Sequence, residues 1–328
     1  MKLFNYLIII SILTSTYSCK KERFEEAQNK ERQQVIDDWY NIKRTNELYF
    51  YDADVPSGAC QKGYLKPDIY TKLITQFNYY RKLAGCEPVV LDSLFNEQTQ
   101  AYLLTAILNK DSVRIHPGLK CYSQEAANAW GKVISSSSFH TNQSSPIPHF
   151  ISHSGDNRKD LINRIWVLYP QLNKIGYGQL NSYFGIKVTG EGTENTAIST
   201  PEYVAWPPKG FILNEIINSA GVWSFTILNA DLKDAVVNVK TRDFTKAKLK
   251  SINKLPMKEL EVKIIEKQMN THLEDRTVFW TIKDIVVDDA YEDEDREYEV
   301  SISNVKVGNA YKSYKYTTYI MNKYSYNK

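Results

Sequence analysis

Asn163-Arg-Ile-Trp-Val-Leu-Tyr-Pro-Gln-Leu-Asn-Lys-Ile-Gly-Tyr-Gly178 is the stretch that decides the fold. Apolar residues at helical spacing predict a helix over 160–169, with Trp166 in the core. Gly176 and Gly178 mark backbone that needs either a positive φ or a close packing partner. Beyond them, 180–188 alternates as a strand. Asn163 presents an amide, which does not titrate and offers no basic nitrogen.

Upstream, Pro67 opens a helix on which Tyr70, Leu73, Phe77 and Tyr80 recur at helical spacing, and Gly85 ends it. Asp92 N-caps a second helix with Leu94, Ala101, Leu104 and Leu108 on its apolar side. A third helix is expected over 123–130. The serines at 135–138 and Pro146 with Pro148 mark a loop. Downstream of residue 200, Pro207 and Pro208 exclude a helix. Short alternating runs follow at 222–228, 235–240, 261–265, 277–282, 298–305 and 314–320. Such a series predicts an antiparallel β-sandwich. The chain reads as α+β.

The stretch 163–178 resembles the Gly-His-Arg-Arg-Trp…Pro…Lys-x-Gly-Phe-Gly signature of bacterial CAP-superfamily domains (cysteine-rich secretory protein, antigen 5, pathogenesis-related 1). Asn78-Tyr-Tyr-Arg-Lys-Leu-Ala-Gly…Pro88-Val-Val-Leu-Asp92 is similar to that family's first helix and turn. Val204-Ala-Trp-Pro-Pro, Trp223-Ser-Phe, Val278-Phe-Trp and Tyr298 to Val305 are similar to the part that follows the CAP domain in many bacterial relatives. The resemblance implies an α-β-α sandwich over 60–199 and a β-sandwich domain over 200–328.

It also implies a cleft of two His and two Glu, able to ligate zinc or to act as acid and base. His116 falls at the first histidine and Glu125 at the first glutamate. Asn163 stands where the second histidine belongs. No residue matches the second glutamate, and His153 lies in its region. One imidazole and one carboxylate leave zinc short of its usual three or four protein ligands. The expectation is a recognition cleft around His116, Glu125, Asn163 and His153, without a resident cofactor. The rival is a metal-assisted hydrolase or protease using His116 and Glu125. A bland reading has His116 bonding its neighbours and Glu125 closing a helix N-terminus beside Ser123. Gly155-Asp156-Asn157 reads as a helix-entry turn, and His140, His149 and His272 as surface residues.

The family also carries cysteines at the positions of Cys60 and Cys121, which makes them the expected disulfide. Cys86 is then a packed thiol. Nothing in the sequence around Cys121 and His116 supports an activated thiolate.

Residues 1–18 read as a lipoprotein signal peptide: Lys2, a short apolar run from Leu7 to Leu13, then Ser18-Cys19. Cys19 becomes the lipidated first residue, and Lys20-Lys21-Glu22 resembles surface-export signals of Bacteroidetes lipoproteins. Each buried acyl methylene contributes about 0.8 kcal/mol, so several chains on one residue anchor stably. Residues 19–59 read as an exposed helix or tether. No second run is long enough to span a bilayer. The expected location is the outer membrane or cell surface.

Formal charge is +3 across 328 residues, with no basic stripe, so nucleic acid has no electrostatic footing. Six carboxylates between Asp288 and Asp295 lack EF-hand spacing and read as a solvated loop. Tyr311, Tyr314, Tyr316 and Tyr319 suit either a recognition surface or ordinary cross-strand pairs. The function class expected is binding of a lipid, glycan or protein.

Overall fold

A computed structural model describes residues 29–43, 60–110, 114–136, 147–151, 158–180, 183–217, 221–243, 255–269, 275–283 and 295–321. The chain is α+β. Cys19, the acidic positions 288–294, His140, His153, His272 and the 155–157 turn lie outside the described residues.

Helix α1 covers 29–43. Helix α2 runs Pro67–Leu83. It ends as Gly85 turns to φ 75°, with Cys86 N–H bonding Arg81 O and Gly85 N–H bonding Lys82 O. Strand β1 (Val90–Leu91) leads to α3 (Ser93–Leu108), whose N-cap Asp92 accepts from the Leu94 and Phe95 N–H groups. Then come α4 (Gln124–Ala129), β2 (Val133–Ser136), α5 (Ile147–Ile151) and α6 (Arg158–Val167). Strands β3 (Lys174–Leu180) and β4 (Tyr183–Lys187) complete a sheet ordered β1-β3-β4-β2.

Successive strand residues face opposite sides. On β3, Ile175 and Tyr177 join one core with Leu73 and Phe77 of α2 and with Trp166 and Val167 of α6. Gly176 and Gly178 face α3 instead. A Cβ at Gly176 would stand 2.3 Å from the Phe95 carbonyl, and one at Gly178 would stand 2.9 Å from Gln100 N. Neither glycine has positive φ. Close packing is therefore what these positions require, and their missing side chains hid β3 from a reading of alternation.

The quoted stretch is locked from α2. Arg81 is fully buried, and its guanidinium donates to the carbonyls of Glu87, Val167, Tyr169 and Leu172 at 2.8–3.2 Å. Burial drives its pKa down, and the neighbouring Cys86 and Glu87 oppose the shift without cancelling it. On α3 the first-turn Leu94 is 56% exposed rather than part of the apolar side. Asp92 caps the helix so that this turn starts at the surface.

The remaining elements are β5 (Val204–Trp206), β6 (Gly210–Leu213), α7 (Asn214–Ile217), β7 (Trp223–Leu228), β8 (Ala230–Asp231), β9 (Val236–Asp243), β10 (Lys258–Leu260), β11 (Val262–Met269), β12 (Asp275–Ile282), β13 (Arg296–Val307) and β14 (Ala310–Met321). They form sheets ordered β10-β9-β13-β14-β6, with β8 beside β13, and β11-β12-β7-β5. Neighbouring strands are antiparallel except β14 with β6. The two sheets share one core, with Phe225, Val278 and Trp280 from one and Val239, Val300 and Ile302 from the other. Tyr314 and Tyr316 belong to that core. They are not recognition-surface residues, whereas Tyr311 is 63% exposed.

Two features differ from expectation. The helix read as an exposed tether is docked: Ile36 and Trp39 of α1 are buried at i, i+3 spacing. In addition, Val204, Trp206, Ile212, Leu213, Ile216 and Met321 pack into the first core beside α2. Position 200 is thus a change of secondary structure within continuous packing.

Candidate functional site

Loop 114–123 is clamped to α3. Ile115 and Ala126 share a small core with Ala101. The Thr105 hydroxyl donates to Cys121 O at 2.9 Å, and the Asn109 amide both donates to Lys120 O and accepts Lys120 N–H. Cys121, at φ 55°, forms the disulfide with Cys60. Cys86 is a buried thiol against Leu168 O, its pKa pushed up to about 11 by burial.

His116 is exposed on this loop, and its Nδ1 accepts the Gly118 N–H at 3.2 Å. Ser123 N-caps α4 by accepting the Ala126 N–H. Glu125 is exposed in the first turn. Its carboxyl is held below the ordinary range by its own backbone N–H first, then by the Ser123 hydroxyl and the Lys62 charge. Both side chains are thus engaged locally.

Asn163 is buried on α6 at 4% exposure. Beside it Arg164 is also buried, and donates to Ile151 O and Val222 O at 2.7 Å each; burial brings its pKa to about 9. His116 and Glu125 are therefore each exposed, while Asn163 is interior. Among the described residues, no group of three or more His, Cys, Asp or Glu is gathered to hold a metal ion. Of the expected cleft residues that are described, His116, Glu125 and Asn163 offer one imidazole, one carboxylate and one amide.

His149 is not a surface residue. Its Nε2 lies 2.8 Å from the Ser136 hydroxyl, and its ring packs on Phe150 and Phe184. Trp166 is buried, edge-on to Tyr169.

Sequence reasoning missed a polar group beside the loop. Lys62 pairs with Glu97 of α3 and lies close enough to Glu125 to lower its pKa. The Gln100 amide donates to Lys62 O at 2.7 Å. Glu97 in turn helps raise the Tyr70 hydroxyl to about 12, after burial as the main cause. The available signal was Cys60: once paired with Cys121, it brings Lys62 near residues 121–125.

Comparison with protein-family models, with curated proteins and with solved structures finds no match. Among the described residues, no helix is long and apolar enough to cross a membrane.

Proposed function

We propose that this chain is an exported protein, lipid-anchored through Cys19, that works by binding. In this reading a divergent CAP domain over 60–199 precedes a β-sandwich over 200–328. The ligand is a lipid, glycan or protein at the outer membrane or cell surface. The helix-covered sheet and the two sheets sharing one core support this organisation.

The observation that carries the binding reading is Asn163. Its amide is buried where the resemblance calls for a basic imidazole, and an amide neither titrates nor ligates zinc as imidazole does. His116, left without that partner, is spent on Gly118.

Calorimetric titration of the full chain with zinc tests the proposal. No tight binding is expected. Tight binding that His116→Ala abolishes would overturn it in favour of metal-assisted hydrolysis. For the anchor, Cys19→Ser is expected to move the protein from the detergent phase to the aqueous phase.

A further inference from the structure

Helix α1 ties together elements that are remote from it in sequence. Its second half lies on the first core: Trp39 meets Tyr79 of α2 and donates to Glu215 of α7, and Asp38 pairs with Lys82. Its first turn lies on the six-stranded sheet. Arg32 donates to Asp295 at 2.9 Å and to Met321 Sδ at 3.3 Å. A Cβ at Gly210 would stand 3.1 Å from Glu31 Oε1. Gly210, Asp295 and Met321 mark one end of that sheet, because Gly210 pairs with Thr318 and Arg296 with Ile320. The opposite end is the β13–β14 turn at 308–309. Strand β13 carries the chain roughly 35 Å between the two ends.

A lipid on Cys19 is joined to this helix by residues 20–28, which reach at most about 36 Å when fully extended. With α1 undocked, the tether would run on to Cys60, a contour of about 140 Å. Docking thus replaces a long leash by a short one, attached at one end of the body. Turned over, with the 308–309 turn on the bilayer, the body would lift the first turn of α1 by roughly 35 Å and use the whole reach of the tether. Given the Cys19 anchor proposed above, on which this rests, we infer that the end bearing Lys209, Gly210, Asp295 and Met321 is the surface that faces the lipid headgroups. The β13–β14 turn then points away from the membrane.

The test uses the full lipidated chain in vesicles of phosphatidylethanolamine and phosphatidylglycerol that carry rhodamine-labelled headgroups. A donor dye is placed on Lys209→Cys or on Asn309→Cys, both exposed positions, with the unsubstituted chain as the labelling blank. Energy transfer is expected to be at least twofold more efficient from 209 than from 309. Equal transfer, or more from 309, in protein that stays on the vesicles overturns the inference and leaves the anchor standing. Vesicle binding that is absent, or that survives Cys19→Ser unchanged, overturns the anchor and the inference with it. A flexible Gly/Ser insertion of about forty residues between 28 and 29, just ahead of α1, adds an end-to-end distance of about 35 Å. It should keep the vesicle binding and abolish the difference between the two labels. A difference that persists with the insertion means that docked α1 does not set the orientation, which also overturns the inference.

Discussion

Gln100 and Gln179 close a ring across the first sheet's edge: Gln100 Oε1 accepts the Gln179 N–H at 2.9 Å while its Nε2 donates to Gln179 O at 2.8 Å. One helical turn earlier, Asn96 accepts the Tyr177 N–H at 2.8 Å. Residues four apart on a helix and two apart on a strand advance by about 6 Å, so the two ladders match. β1 pairs with β3 only at Lys174 and Ile175, and α3 side chains continue where it stops. Gln100→Ala leaves the Gln179 backbone groups and Lys62 O without this partner. A loss of about 2–4 kcal/mol is expected in urea unfolding, since each orphaned buried group costs about 1–3 kcal/mol. A loss below about 1 kcal/mol would mean that the ring is dispensable.

Gly176 is the sharper test of how α3 meets the sheet. An added Cβ would meet Phe95 backbone atoms, which cannot rotate away as a side-chain tip can. Gly176→Ala is expected to cost about 3 kcal/mol or more, beyond the usual overpacking range of about 1–3 kcal/mol. Gly190→Ala has a flexible Lys132 side chain as its nearest neighbour, although φ 107° adds backbone strain of about 1–2 kcal/mol. The order of the two midpoints is the readout, with Gly176→Ala the lower.

How much of this was legible follows from where the information sits. Asp92, Gly85 and Pro67 act through local backbone geometry, and all three do in space what their residue types prescribe. Strand β3 was not legible, because Gly176 and Gly178 carry their meaning in the helix pressed against them. Docking of α1 was not legible either: Trp39 meets Tyr79 of α2 and Glu215, the latter 176 positions away in sequence, and only the folded chain brings them together. For the site, His116 and Glu125 could be singled out from the sequence. The Lys62–Glu97 pair could not, because it depends on the Cys60–Cys121 link and on α3 lying beneath it.

Lys187 gives a pH signature. It is 3% exposed on β4, with its ammonium 2.7 Å from Gln98 Oε1 and 3.8 Å above the Phe95 ring. Burial first, then the neighbouring Lys132, pull its pKa down, with Asp92 opposing. A base with a lowered native pKa binds fewer protons folded than unfolded, so stability rises with pH between the two values. The gain should develop from the lowered native pKa up to the ordinary lysine value of about 10.4. Lys187→Met removes the contribution. The difference in urea midpoint between wild type and variant should therefore shift toward wild type as pH climbs through that window. A pH-independent difference would show that this ammonium is solvated after all.

Trp39 reports whether α1 is part of the folded body. Its ring lies 6.0 Å from that of Tyr79, and its indole N–H donates to Glu215, which also meets Lys43. On the same helix, Asp38 pairs with Lys82 and Arg32 with Asp295. The exposed Asp38–Lys82 pair contributes little, whereas Asp295 is buried, so the buried indole, Ile36 and the Arg32–Asp295 pair carry the docking. Trp39→Ala should cost about 3 kcal/mol or more. Read as hydrogen exchange over residues 29–43, that is roughly a hundredfold faster exchange, since about 1.4 kcal/mol corresponds to a factor of ten. Trp39→Phe keeps a ring against Tyr79 but loses the bond to Glu215, and about 1 kcal/mol is expected. Acceleration confined to 29–43 would mean that α1 detaches as a unit. Equal acceleration across α2 and α7 would mean that α1 is integral to the first core. Unchanged exchange in Trp39→Ala would refute docking through this side chain.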